Sequence, residues 1–237
     1  MEWREQVAVV TGGTRGIGRA LAEGLVDRGA AVAICARNAE EVERRAAGLR
    51  TPGANVLGAA CDVRDEASIA AFAARVLGEM GTPGIVINNA GVGRFAPLAE
   101  TSAEAWDEVM ATNLRGMFLV TRAFLPAMLA RGSGDVVNIA SLAGRNGIAN
   151  GAAYSASKHG VIGFSKSLML EVRTHGIRVM TVCPGSVDTP FFDVETPFDP
   201  DRGRILHAAD VAKVVLDALE LPDRALVSEL DIRPANP

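Results

Sequence analysis

The chain has 237 residues, 49% of them hydrophobic, enough for one large core near the upper size that a single core supports. Twenty-four basic against 28 acidic residues leave a net charge of −4 with no basic run, which argues against nucleic acid or an anionic membrane surface as a partner. The first residues lack the layout of a signal peptide, and no apolar stretch approaches the roughly 20 residues of a membrane span. Cys35, Cys61 and Cys183 are odd in number and widely spaced, and the three histidines are scattered, so neither a disulfide framework nor a metal site is expected and the compartment reads as cytoplasmic.

Taken in order, short β-branched apolar runs at 7–11, 31–35, 54–60, 84–88, 135–140, 177–183 and 225–232 read as strands. Amphipathic stretches near 17–28, 39–50, 66–79, 102–130, 152–175 and 208–220 read as the helices between them. Most of the strands are near-continuous apolar runs, as a parallel sheet covered on both faces requires. Asn38 followed three residues later by Glu41 resembles a capping box opening the second helix. Alternation of strand and helix along the whole chain, without a linker or repeat, predicts one α/β domain over 1–237. Its expected form is a three-layer, doubly wound, mostly parallel seven-stranded sheet with helices on both faces. In such a sheet ligands bind beyond the carboxyl ends of the strands, so residues 11–18, 36–38, 61–63, 88–94, 141–154 and 184–192 are where chemistry is sought.

The first of these segments carries Gly12, Gly13, Thr14, Arg15, Gly16, Ile17 and Gly18. Glycines between a strand and a helix permit a tight turn and bring backbone N–H groups close to a pyrophosphate. The spacing Gly12, Gly16, Gly18 differs from the usual G-x-G-x-x-G fingerprint. After the second strand, NAD enzymes place a carboxylate against the ribose 2′-hydroxyl. Here Arg37 occupies that place, and a guanidinium suits a 2′-phosphate in both shape and charge. With Arg15 as a second cation, the cofactor is expected to be NADP(H). Asp62 and Val63, after the third strand, are placed to meet the adenine ring.

Tyr154 is the only tyrosine in the protein, and Lys158 follows it four residues later, on the same face of a predicted helix. A phenol near pKa 10 needs about 2.7 kcal/mol to titrate about two units lower. An ammonium roughly 4 Å away contributes about 4 kcal/mol at an effective dielectric near 20, so the lysine suffices in principle. Ser141 ends the fifth strand, where its hydroxyl can hold a substrate oxygen while Tyr154 moves the proton.

Residues 11–18, Asn88, Asn89, Ala90, Gly91, Asn113, Ser141, the Tyr154–Lys158 pair, Pro184 and Gly185 together resemble the short-chain dehydrogenase/reductase family, over essentially the whole chain. The resemblance implies a Rossmann fold and an NADP(H)-dependent enzyme acting on a small-molecule carbonyl or alcohol. It implies that Asn89 and Ala90, with Gly91, pack against the adenosine side of the cofactor, and that Asn113 holds a water linking Lys158 to solvent protons. It further implies that Ile139 and Val187 border the nicotinamide beside Pro184 and Gly185, and that Thr189 bonds the carboxamide. On the same resemblance, Lys158 is expected to bind the nicotinamide ribose and to lower the tyrosine pKa. The resemblance also implies a homotetramer or homodimer formed through the helices over 102–130 and 152–175, with Val161, Phe164 and Leu168 facing either that interface or the sheet.

The expected reaction is NADPH-dependent reduction of a ketone or aldehyde, with 3-oxoacyl thioesters among the candidates. The alternatives are NADP-linked oxidation of a secondary alcohol or polyol, and a non-catalytic NADP(H) sensor, which would have no need of the tyrosine, lysine and serine present here. Many relatives, the 3-oxoacyl-carrier-protein reductases among them, end on a strand and an Asp-Gly-Gly-type turn; this chain has Asp231, Ile232, Arg233 and Pro234. The segment 188–207, with Pro190, Pro197 and Pro200, predicts a short, open substrate lid. Phe95, Leu142, Ile148, Phe191 and Phe192 are candidate walls of an apolar pocket or else core filler. Arg94 and Arg145 flank the same mouth, as solvated charges or as contacts for an anionic substrate.

Overall fold

A computed structural model of the chain describes residues 2–193 and 199–235. Seven strands form one sheet: β1 (Val7–Thr11), β2 (Ala31–Ala36), β3 (Val56–Ala60), β4 (Ile85–Asn88), β5 (Gly134–Ile139), β6 (Ile177–Pro184) and, last in sequence, β9 (Glu229–Ile232). Their order is β3-β2-β1-β4-β5-β6-β9, and all six pairings are parallel, so the sheet is parallel throughout rather than mostly so. Two further short strands, β7 (Val187–Asp188) and β8 (Leu206–His207), pair with each other and close the base of the segment expected to be the lid. A single 3-10 turn, Pro190–Phe192, follows β7. Pro197 lies outside the described residues, as do Asn236 and Pro237.

The near-continuous apolar strands are explained by burial on both faces. Ala8, Val10, Val32, Ile34, Ile85 and Ile87 point to one side, against Leu21 and Leu25 of α1 (Gly16–Asp27), Val42 and Ala46 of α2 (Ala39–Leu49), and Val211, Val215 and Leu219 of α7 (Ala208–Leu219). Val9, Ala33, Val86, Val136 and Val179 alternate to the other side. There they meet Ile69, Phe72 and Val76 of α3 (Glu66–Glu79), Leu119 and Phe124 of α5 (Gly116–Arg131), and Leu168 and Val172 of α6 (Ala152–Val172). Val161 and Leu168 are thus buried in the interior, and of the three residues left between interface and sheet only Phe164 is partly exposed.

The stretch expected as one helix over 102–130 is divided. α4 (Ala103–Met110) passes through a π-helical segment, Ala111–Arg115, into α5. Such wide turns offset side chains from the α-helical register and occur often at functional sites; Asn113 sits in this one. Strand 225–232 shortens to β9, and strand 54–60 begins only at Val56, past the Pro52-Gly53 turn. At α2 the Asn38 carboxamide accepts from Glu41 N at 2.9 Å, which forms the forward half of the expected capping box.

The amino-terminal ends of the strands are tied by charge. Asp135 and Arg178 are register partners on β5 and β6, and their side chains are only 10% and 14% exposed. Arg178 forks onto the Asp135 carboxylate at 2.7 and 3.1 Å and donates to the carbonyls of Leu219, Leu221 and Ala225. Burial pushes the Asp135 carboxyl up, against the pull of the guanidinium. Removing one partner of such a pair strands a buried charge. Asp135→Ala is expected to cost about 3–5 kcal/mol in chemical denaturation, with cofactor affinity unchanged in the folded protein. A cost below about 1 kcal/mol, the level of an exposed pair, would contradict this reading.

Candidate active site

Sheet order reverses between β1 and β4, and the glycine loop leaves β1 at that point. Gly12 and Gly16 take φ of 64° and 54°, left-handed conformations that a side chain resists. A Cβ on Gly12 would lie 3.1 Å from the Ala90 Cα. The Thr11 hydroxyl accepts from the amides of Asn89 and Ala90 at 3.0 and 3.1 Å, and Asn89 Nδ2 donates to the carbonyls of Thr11 and Gly12 at 3.0 and 3.2 Å. Asn89 is therefore a clamp between β4 and the loop as well as a cavity wall. Gly18 does not line the cavity. A Cβ there would stand 2.3 Å from Asn89 Nδ2 and 2.4 Å from the Gly12 carbonyl, so this glycine lets α1 pack on the loop.

A cavity of about 720 Å³ runs along the carboxyl ends of the strands. At one end it is lined by Gly12, Thr14, Arg15, Gly16, Ile17, Arg37, Asp62, Val63, Asn89, Ala90 and Gly91. At the other it is lined by Ile139, Ser141, Tyr154, Lys158, Pro184, Gly185, Val187 and Thr189. Every residue expected to touch a cofactor, Gly18 apart, is brought to this one surface. Arg15 and Arg37 are exposed and make no salt bridge among the described residues. α1 begins after Arg15 with no side-chain cap, which leaves its first backbone amides free for an anion. Asp62 is already engaged: Arg64 forks onto its carboxylate at 3.0 and 2.6 Å and holds it below the usual carboxylate range.

Tyr154 lies in the first turn of α6, half-buried between two phenylalanines. Its ring centroid is 5.5 Å from that of Phe95 and 5.6 Å from that of Phe191. Leu142, Ile148 and Phe192 line the same cavity, so all five apolar candidates are walls of it. Burial pushes the phenol up from its ordinary value, and hydrogen bonding with Ser141 partly opposes the rise. Ser141 is fixed by accepting from Ala143 N at 3.1 Å. Lys158 is 5% exposed, and its ammonium donates to the Ile139 carbonyl at 2.8 Å. Burial lowers the Lys158 pKa to about 8. Its Nζ lies 5.7 Å from the Tyr154 ring centroid. In the protein alone the phenol is pushed up rather than down, because its burial outweighs the Ser141 hydrogen bond.

Asn113 does not reach the cavity. Its carboxamide accepts from Val92 N at 2.8 Å and donates to the Val92 carbonyl at 2.9 Å and to Ser157 Oγ at 3.0 Å. Ser157 in turn donates to the Tyr154 carbonyl at 2.7 Å. Asn113 thus ties the loop after β4 to the helix turn that carries Tyr154. Sequence reasoning missed Ser157 and Val92, since a serine and a valine carry no signal until the fold places them. Arg94 and Arg145 do not contribute to the cavity lining: Arg94 pairs with Glu108 at 2.8 Å, and Arg145 pairs with Glu229 and, at 3.1 Å, with Asp231. Among the described residues there is no cluster able to hold a metal ion and no helix long and apolar enough to cross a membrane.

A family model described as short chain dehydrogenase matches residues 6–198. A putative ketoacyl reductase of Streptomyces coelicolor is 46% identical over 230 residues, covering 89% of this chain and 88% of that protein. Among solved structures, a metagenomic short-chain oxidoreductase in complex with NADP superposes with a TM-score of 0.87 at 39% identity, over 100% of both chains. An actinorhodin polyketide ketoreductase with NADPH superposes with a TM-score of 0.89 at 36% identity, over 98% of this chain and 97% of that one. The parallel doubly wound sheet is thus a Rossmann fold, and the chain belongs to the short-chain dehydrogenase/reductase family.

Proposed function

We propose that the protein, acting as a single oxidoreductase domain, is an NADPH-dependent carbonyl reductase that converts a ketone or aldehyde to an alcohol. The observation that carries this reading is the meeting of Ser141, Tyr154 and Lys158 with the glycine loop and Arg37 on one continuous cavity. The residues present fit a phosphorylated dinucleotide. Gly12 and Gly16 give backbone approach, the uncapped start of α1 suits the pyrophosphate, and Arg15 and Arg37, exposed and without a salt bridge among the described residues, supply cations for a 2′-phosphate. Asn89, Ala90, Gly91, Asp62 and Val63 would wall the adenosine side. Ile139, Pro184, Gly185, Val187 and Thr189 would wall the nicotinamide side. When bound, the dinucleotide supplies the hydride.

The chain's own residues supply the rest. Ser141 Oγ holds the substrate oxygen, and Tyr154 Oη gives it a proton as negative charge develops. A phenol pushed up by burial starts in the protonated form from which a general acid donates. Lys158, anchored on the Ile139 carbonyl, is a cation below about pH 8 and is placed to hold a ribose and to stabilise the phenolate left behind. The Asn113 carboxamide is occupied by Val92 and Ser157, so its part in the site is to position the turn that carries Tyr154. The phenylalanine walls suit a substrate with an apolar body, 3-oxoacyl thioesters included.

Three buried free cysteines support a reducing compartment, the cytoplasm. Trp106, Phe118 and Leu170, exposed on α4, α5 and α6, support association into a homodimer or homotetramer.

The test is consumption of NADPH across ketones, diketones, aldehydes and 3-oxoacyl thioesters. Tyr154→Phe is expected to lower kcat about 10²- to 10⁴-fold, with NADPH affinity unchanged; activity surviving that change would overturn the reading. Arg37→Ala is expected to raise the KM for NADPH about ten-fold and leave that for NADH unchanged, as loss of one charge-assisted contact predicts. Equal effects on the two nucleotides would remove Arg37 from the 2′-phosphate site.

A further inference from the structure

The tail that sets this chain apart in sequence plays no part in the mechanism above. β9 is the edge strand beside β6. Its Leu230 and Ile232 pack on the core, while Glu229 and Asp231 alternate to the other face and hold Arg145, with Lys166 on Glu229 at 3.1 Å. Beyond β9 the chain runs on along the end of β6. Gly185 N donates to the Ile232 carbonyl at 2.8 Å, and a Cβ on Gly185 would lie 3.1 Å from Pro234 Cδ and 3.2 Å from Leu142 Cδ1. Arg233 and Pro234 consequently line the cavity, beside the residue that follows Ser141.

Arg94 and Arg145, the cations that the sequence singled out, do not line the cavity and are engaged by Glu108, Glu229 and Asp231. Arg233 is not. Its side chain is 56% exposed, and its one salt bridge among the described residues, to Asp231, is long at 3.5 Å. The Asp231 carboxylate is shared with Arg145. Most of the Arg233 guanidinium donors therefore stay free to fork onto an oxyanion.

We propose that Arg233 is a specificity-determining residue that selects carbonyl substrates carrying an oxyanion, a carboxylate or a phosphate. The carbonyl sits at Ser141 and Tyr154, and the chain between the two groups lies against Leu142 and Pro234. The proposal rests on the carbonyl-reductase reading and deepens it by naming a substrate class.

The experiment measures binding to the NADP⁺-loaded protein by calorimetry, for wild type, Arg233→Ala and Arg233→Lys, with NADPH-dependent turnover in parallel. Two matched pairs are the probes: 4-oxopentanoate with its methyl ester, and the 3-oxobutanoyl thioester of phosphopantetheine with that of pantetheine. In at least one pair the anion-to-neutral affinity ratio is expected to fall about ten-fold in Arg233→Ala and to be partly kept in Arg233→Lys, with NADP⁺ affinity unchanged. The pair that responds names the anion, carboxylate or phosphate. An unchanged ratio in both pairs, or equal weakening of charged and neutral members, overturns the proposal. A ratio that falls in a protein that turns over none of these carbonyls leaves the anion site standing and overturns the reductase reading instead.

Discussion

The junction between β1 and β4 is the constraint on which the site depends. Parallel strands present their carboxyl ends on one edge of the sheet, and a crevice opens there only where neighbouring connections leave in opposite directions. Here the crevice is held by the Thr11 hydroxyl, which takes two backbone amides, and by Asn89, which returns two donors to the loop. That exchange sets the left-handed turns at Gly12 and Gly16 against the end of β4. Without it, the glycine loop and the catalytic wall would be parts of separate surfaces.

A second constraint acts at the other end of the cavity. Lys158 is buried with its ammonium on a carbonyl of β5, and Ser141 is the second residue after that carbonyl, fixed by its own turn. Asn113 and Ser157 then lock the α6 turn that carries Tyr154 to the loop after β4. Strand, π-helical segment and helix therefore fix the serine, lysine and tyrosine with short hydrogen bonds. The phenol lies among Phe95, Phe191 and the buried lysine chain, where desolvation decides its protonation state. The opposite edge of the sheet carries the stabilising pair, Asp135 and Arg178, so the demands of stability and chemistry fall at different ends of the same strands.

Much of this was legible in the chain. Seven apolar runs gave seven strands because burial on both faces leaves little freedom in composition, and the glycine loop, Arg37, Ser141, Tyr154 and Lys158 carry their chemistry in residue type and spacing. What could not be read is tertiary. Nothing in residues 102–130 marks the π-helical turn, whose Asn113 bonds to Val92 and Ser157 become visible only in the fold. The anchoring of the Lys158 ammonium on the Ile139 carbonyl is tertiary as well, and no spacing rule places it. Gly18 looks like a phosphate contact in sequence and proves to be a packing glycine, because Asn89 approaches from a strand more than 60 residues away. Arg94 and Arg145 looked free only because their carboxylate partners are distant in the chain.

Since Tyr154 is the single tyrosine, the tyrosinate absorbance of the protein reports on it alone. A pH titration of that absorbance tests most directly the claim that burial keeps the phenol protonated and ready to act as an acid. The account predicts ionisation above the ordinary value near 10. A tyrosinate band emerging at neutral pH in the protein alone would contradict it, and would make Tyr154 a base poised for alcohol oxidation.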